Sequence, residues 1–304
     1  MIKKILLFSC LIIFIPVLIV SIFIRNDEIT FNFSANTVVR IYREKTGLID
    51  SVPIEEYIVG VLAGEMPVSF ELEALKAQAV ASRSYVMKQI EKNINNKYDV
   101  VDTVMNQVYL DKEHLMSVWN YSYTENINKI KTAVLSTKGE YLSYNDKIVE
   151  ALFFSTSPGI TENSEEIFTS NEPYLRSVSS VWDEISPVYT TTITYSLSEF
   201  YNLLNLKYQN NLIIEIIEKT STGRIKKLKI NDKELTSNYV CSKLCLNSTY
   251  FEIIQDGTKI IIKNKGYGHG VGMSQYGAEG MARDGYTYEE ILKHYYKDVE
   301  IKKF

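Results

Sequence analysis

At 304 residues the chain can form one large domain or two modest ones, and its 45% apolar and 23% charged content is ordinary for a globular protein. A net charge of −4 gives no footing for nucleic-acid binding, and three cysteines are too few for a disulfide framework. The 22 tyrosines are read as part of a bias that also favours Ile, Asn and Lys, not as a set of sugar-stacking faces.

Lys3 and Lys4 precede Ile5–Ile24, an uncharged and almost wholly apolar run. At about 1.5 Å per residue it covers about 30 Å, the thickness of a bilayer's hydrocarbon core. No A-x-A-like cleavage site follows it. The expectation is a cytoplasmic stub and uncleaved transmembrane anchor over residues 1–25, with the lysines inside and the bulk of the chain extracytoplasmic. Residues 26–36 are polar and read as a linker, leaving 37–304 as the folded domain.

Thr37–Tyr42 alternates like a strand, and Lys45–Gly47 turns the chain into Leu48–Val52. Two helices follow. Ile54, Tyr57, Ile58, Val61 and Leu62 make one stripe at helical spacing, and Val68, Leu72, Leu75, Ala79, Ser82, Val86 and Ile90 make a longer one. Pro67 pushes Met66 out of the helical region, so the first helix ends near Glu65. Glu71 and Glu73 belong to the first turn of the second helix, and Ala74, Ala77, Ala79 and Ala81 leave room for a close neighbour. Tyr98–Asp111 has no clear period. Lys112–Tyr123 and Ile127–Leu135 read as helical, and Glu140–Tyr144 and Lys147–Phe154 as a hairpin around Asn145-Asp146. Ser155–Asn163 is a hydroxyl-rich loop.

Tyr189–Tyr195 reads as a strand and Ser198–Leu204 as a short helix. Two more hairpins pair Leu212–Ile217 with Arg224–Ile230 and Tyr250–Ile254 with Lys259–Lys263. This stretch, about 187–265, reads as a β-rich sub-lobe beside a helical core, giving an α+β fold class overall. Cys241 and Cys245 are one helical turn apart and read either as a small disulfide or, the preferred reading, as two packed thiols. From Gly266 to Gly272 every second residue is glycine, which lets backbone approach a ligand or another strand closely. Ser274 caps a helix over Gln275–Arg283, Thr287 and Glu290 form a capping box for a last helix, and Val299–Lys303 adds an edge strand.

Glu65, at the joint of the two helices, is an unusually fixed acid with Leu62, Met66, Val68 and Phe70 around it in sequence. An isolated acid in such a place is ordinarily a cap or an ion-pair partner. Alternatively it is a general acid. Lytic transglycosylases protonate the leaving sugar with one such residue and then deprotonate the C6 hydroxyl of the muramic acid, closing an anhydro ring. That role needs apolar surroundings that raise the pKa.

Gly64–Tyr85, "GEMPVSFELEALKAQAVASRSY", and Gly266–Ala282, "GYGHGVGMSQYGAEGMA", resemble signatures of the stage II sporulation protein D family. Phe153–Phe168 and Pro173–Glu184 resemble further segments in the same order. The resemblance implies peptidoglycan lytic transglycosylase activity during sporulation engulfment, with Glu65 as the catalytic acid. It also implies denuded glycan strands as substrate, and a membrane-bound cell-wall amidase and a multi-span membrane protein as partners. His269, Ser274 and Gln275 on the glycine-rich segment, with Ser155 and Thr156 on the hydroxyl-rich loop, are candidate substrate-binding residues. Arg83 is set aside as a structural ion-pair partner.

The sequence departs from its family in two places. Residues 91–130 hold His114 and no cysteine, too few ligands for the zinc site some members look to have, so no metal or other cofactor is expected. Pro158 stands where the family tends to have glycine. Two other readings remain open. One is a non-catalytic glycan-binding enhancer of an amidase, since the family is related to amidase-enhancer proteins. The other is a serine-type stem-peptide hydrolase with Ser274 as nucleophile and His269 as base. For either glycan-acting reading, His269 or Gln275 is expected within roughly 10 Å of Glu65, about one sugar's length.

Overall fold

The computed structural model describes residues 27–29 and 37–304; the apolar run at 5–24 and the rest of the expected linker lie outside the described residues. Among the described residues no helix is long and apolar enough to cross a membrane. The fold is mixed α+β.

Strands β1 (Val38–Tyr42) and β2 (Ile49–Pro53) form an antiparallel hairpin, to which β3 (Val100–Val101) adds in parallel beside β1. Helices α1 (Ile54–Glu65) and α2 (Leu72–Lys92) follow as the apolar stripes require. The first ends where Pro67 forces it to: Met66, its cap, is extended at φ −121° and ψ 141°. The 21-residue α2 is the axis of the molecule. Ala74, Ala77, Ala79 and Ala81 are all buried, and their small side chains admit neighbours on several sides. The residues α3 (Lys112–Trp119), a 3₁₀ turn at Asn120–Ser122, and α4 (Tyr123–Ser136) replace the two expected helical runs.

The hairpin expected around Asn145-Asp146 is present but shorter than its apolar run. β4 (Glu140–Tyr144) pairs with β5 (Lys147–Ile148), and both turn residues have positive φ, 48° and 62°. Phe153 and Phe154 leave it as a separate strand, β6. A four-residue helix, α5 (Ser164–Ile167), follows the hydroxyl-rich loop.

The stretch that follows builds its own hydrophobic cluster around Phe200, Leu228, Val240 and Ile262. It contains β7 (Thr190–Ser196), α6 (Leu197–Leu203), the antiparallel set β8 (Ile214–Lys219), β9 (Ile225–Ile230) and β10 (Lys233–Thr236), and α7 (Ser237–Leu244). β11 (Phe251–Asp256) and β12 (Lys259–Lys265) complete it, with β12 between β11 and β7. Both thiols of this stretch, Cys241 and Cys245, are free.

The C-terminal segment returns to the first core. β13 (Met273–Ser274) pairs in parallel with β6, α8 (Gln275–Arg283) and α9 (Tyr288–Tyr295) pack on α2, and β14 (Glu300–Lys303) adds antiparallel to β4. The capping box at Thr287 and Glu290 is formed.

Two buried ion pairs tie these parts together. Arg83 on α2 grips Glu55 on α1 with two nitrogens, at 3.1 and 2.7 Å, and donates to the Glu140 carbonyl at 2.9 Å. Arg224, immediately before β9, lies 3.4 Å from Glu162 and donates to the Gly268 carbonyl at 3.0 Å. Burial pushes Glu162 up to about 7.

Candidate active site

Glu65 is the last residue of α1, and the extended Met66 turns the chain away immediately after it. Its Oε1 accepts the Val108 backbone N–H at 2.6 Å. Gln275, first residue of α8, brings its amide against the same carboxyl. That Nε2 is buried and has no other partner among the described residues. Burial raises the Glu65 pKa above the ordinary glutamate value; the Val108 N–H and the Gln275 amide pull it back in part. No neighbouring acid is among the causes.

Several contacts hold this corner. The Glu71 N–H donates to Glu279 Oε2 on α8 at 2.6 Å, and the Phe70 ring stands edge-on to Tyr276 at 5.0 Å. Tyr57 and Tyr85 are close enough for the Glu65 charge to raise their own pKa values. They in turn anchor the segment carrying Val108, since Tyr57 donates to Gln107 at 3.1 Å and Asn106 donates to Tyr85 at 2.9 Å. α2 and α8 thus pack together at this corner, and Gln275 is the residue that brings α8 to Glu65.

The other candidates are arranged differently. Ser155 is half-buried beside Gln275, where its carbonyl accepts the Tyr276 N–H at 3.0 Å. Thr156 and Ser274 are fully buried. The Thr156 hydroxyl lies 2.8 Å from that of Ser186. Ser274 caps α8 by accepting the Gly277 N–H and donates to Asp183 at 2.5 Å. Asp183 also accepts the Ser157 N–H, so one carboxylate, raised to about 6 by burial, pins the 155–157 loop to the start of α8. With its hydroxyl so committed, Ser274 makes no hydrogen bond to His269, and the nucleophile–base pair of the serine-hydrolase reading is not formed.

His269 sits between the rings of Phe154 and Phe168, at 5.6 and 5.5 Å. Its Nδ1 accepts the Val271 N–H at 3.1 Å, and a second bond reaches the Phe153 backbone. Burial drops its pKa to about 4, so the ring is neutral near pH 7 and fastens the glycine run to β6. The glycines themselves face protein. All four have positive φ, and a Cβ on Gly272 would stand 2.0 Å from the Leu152 carbonyl, one on Gly270 2.6 Å from Arg224. The run approaches another strand, the second of the two uses its composition allowed.

Val108 was invisible to sequence reasoning because a backbone N–H has no residue signature. Asp183 lies within one of the family-like segments, but nothing in its neighbours' types announced that it would hold two other segments. Among the described residues no cluster of three or more His, Cys, Asp or Glu could hold a metal ion.

A family model described as "SpoIID: Stage II sporulation protein" matches residues 42–144. The chain is 43% identical over 270 residues to stage II sporulation protein D of Bacillus amyloliquefaciens, covering 87% of this chain and 78% of that one. It is 42% identical over 268 residues to stage II sporulation protein D of Bacillus subtilis (strain 168), covering 86% and 78%. An amidase enhancer of the same Bacillus subtilis strain is 31% identical over 304 residues, covering 81% of this chain and 40% of the enhancer. Long-range likeness at that level, over motifs that surround one fixed acid, settles the kinship: this chain belongs to the stage II sporulation protein D family.

Proposed function

We propose that this protein is a membrane-anchored lytic transglycosylase that cleaves peptidoglycan glycan strands during engulfment, with Glu65 as acid and then base. The observation that carries the reading is a carboxyl fixed at the end of α1, its pKa raised by burial and its Oε1 held by the Val108 N–H. A hydrolase of the usual kind needs two carboxylates at a set separation. One acid suffices if the sugar's own C6 hydroxyl is the nucleophile. Protonated Glu65 donates to the leaving oxygen, the glycosidic bond breaks, and the resulting carboxylate takes the C6 hydroxyl proton as that oxygen closes on C1. Burial favours the neutral state needed at the start, and the Val108 N–H steadies the anion formed midway. Gln275 is assigned to hydrogen-bond the bound glycan, and Ser155 to flank it.

Residues 5–24 are the anchor in this reading, and strands denuded of stem peptides the substrate. A membrane-bound amidase that strips the peptides, with a multi-span membrane protein, would act alongside. Mass spectrometry of products from purified glycan strands tests the proposal: anhydro-muramic ends are expected, and freed stem peptides or unchanged strands refute it. The second reading, a glycan-binding enhancer of an amidase, draws on the 31% identity to the amidase enhancer. It predicts unchanged strands and faster peptide release when an amidase is added.

Two further outcomes are expected. Activity should fall as pH rises through the Glu65 pKa, because the acid must begin protonated. Since burial raises that pKa, the falling limb should lie above the range of an ordinary glutamate, and a pH profile of kcat/KM measures it. Activity should also persist undiminished in excess chelator, because residues 91–130 offer one histidine and no cysteine. Loss of activity together with a stoichiometric zinc would contradict this.

A further inference from the structure

The three described residues Asp27, Glu28 and Ile29 are fastened to the body. The Ile29 N–H donates to Asn128 Oδ1 at 2.7 Å, and the Asn128 amide donates to the Asp27 carbonyl at 3.0 Å. Glu28 pairs with Lys131 at 2.7 Å and with Lys112 at 3.2 Å. Lys131 also donates to the Ile29 carbonyl at 2.7 Å. Both helices of the α3–α4 corner thus grip the chain.

The apolar run ends at Ile24, only three residues before Asp27. Three residues span at most about 11 Å even when fully extended. If Ile5–Ile24 crosses the bilayer, the α3–α4 corner cannot swing free on a long tether. It must stand at the membrane surface.

The surface of that corner has a matching composition. Tyr121 is 99% exposed, Val118 61% and Met116 50%, on one short helix and the 3₁₀ turn after it. Trp119 is half-buried between them, 6.3 Å from Tyr123. Val104 and Met105, in the turn whose Thr103 shares a groove with Glu113 and His114 of α3, are exposed as well. Scattered exposed apolar residues need no explanation. These are gathered where the chain arrives from the apolar run, and tyrosine and tryptophan are the side chains favoured at the headgroup level.

We propose that the α3 helix and the turn after it lie on the outer leaflet, with Val118 and Tyr121 inserted at the headgroup boundary. The Asp27–Ile29 clamp and this contact together fix the orientation of the domain on the membrane. Glu65 is then presented to the wall at a set height and angle. The inference rests on the anchor reading of residues 5–24.

The test uses the full chain in a Cys10→Ser, Cys241→Ser, Cys245→Ser background, reconstituted into vesicles of phosphatidylethanolamine and phosphatidylglycerol. A fluorophore is placed at Tyr121→Cys or, as reference, at Asp256→Cys at the end of β11. With nitroxide-labelled acyl chains present, the label at 121 is expected to lose most of its fluorescence and that at 256 to keep it. Equal fluorescence at both sites in protein that floats with the vesicles would overturn the proposal and leave the anchor standing. Protein that fails to float would remove both. A label at 121 protected from aqueous iodide but untouched by the nitroxide would put a second protein copy there, and that too would overturn it.

Discussion

Glu65→Gln is expected to lower glycan cleavage by roughly 10²–10⁴-fold, the range lost when general acid–base assistance is removed. Glutamine has nearly the shape of glutamate, and its carbonyl can still accept the Val108 N–H now held at 2.6 Å. What it lacks is a proton to give and a charge with which to take one. Glycan binding should therefore survive, which a pull-down on purified strands would measure. Stability should move the other way. Burial raises the Glu65 pKa, so the acid stabilises the fold below the unfolded-state value and loses that contribution as pH rises through the folded value. The glutamine variant, neutral throughout, should melt slightly higher than the parent near pH 7 and not below about pH 4. Near-normal cleavage by the variant would remove Glu65 from the mechanism.

Arg83→Met should cost about 3–5 kcal/mol, the penalty for removing one partner of a buried ion pair. Both side chains of the pair are almost wholly sequestered. Methionine fills much of the arginine's volume but leaves the Glu55 carboxylate with only the Gly139 N–H, at 3.0 Å. The Glu140 carbonyl loses its donor as well. Adding Glu55→Leu to Arg83→Met should recover a large part of the loss, because the isolated charge goes with it. Urea denaturation of the two single variants and the double measures this, and a double variant as unstable as the sum of the singles would show that the charge is not the cause.

How much of this was legible in the sequence depended on where the information lay. The helices α1 and α2 and the corner between them were written in side-chain period and in Pro67. The capping box of α9 was written in Thr287 and Glu290, and the hairpins in their turn residues. What could not be read was long-range. Phe153 and Phe154 continue an apolar run from Lys147, and local pattern joined them to that hairpin; pairing with Met273 and Ser274 overrides it. The glycine run looked like a surface for ligand. Its glycines are instead required by the Leu152 carbonyl, the Phe154 side chain and the Arg224 guanidinium, neighbours that no local window contains. Around the candidate site, motif reading singled out Glu65 and Gln275, which the structure brings together, while the Val108 donor and the Asp183 brace carry no local signal.

The union of α8 with the corner at Glu65 also bears on when the protein becomes active. The Glu71–Glu279 bond joins residues 208 positions apart, and Gln275 reaches Glu65 only when that long loop has closed. Closing a loop of that length carries a length-dependent entropic cost of roughly 4–5 kcal/mol, which many contacts formed together must offset. In N-to-C order Glu65 is made long before Gln275. In the interval α2 has an uncovered alanine face and the acid has neither its amide neighbour nor the closed surroundings that raise its pKa. The closed surroundings of Glu65 are therefore a property of the docked fold, and under the transglycosylase reading the acid is ready only once α8 has closed onto the corner.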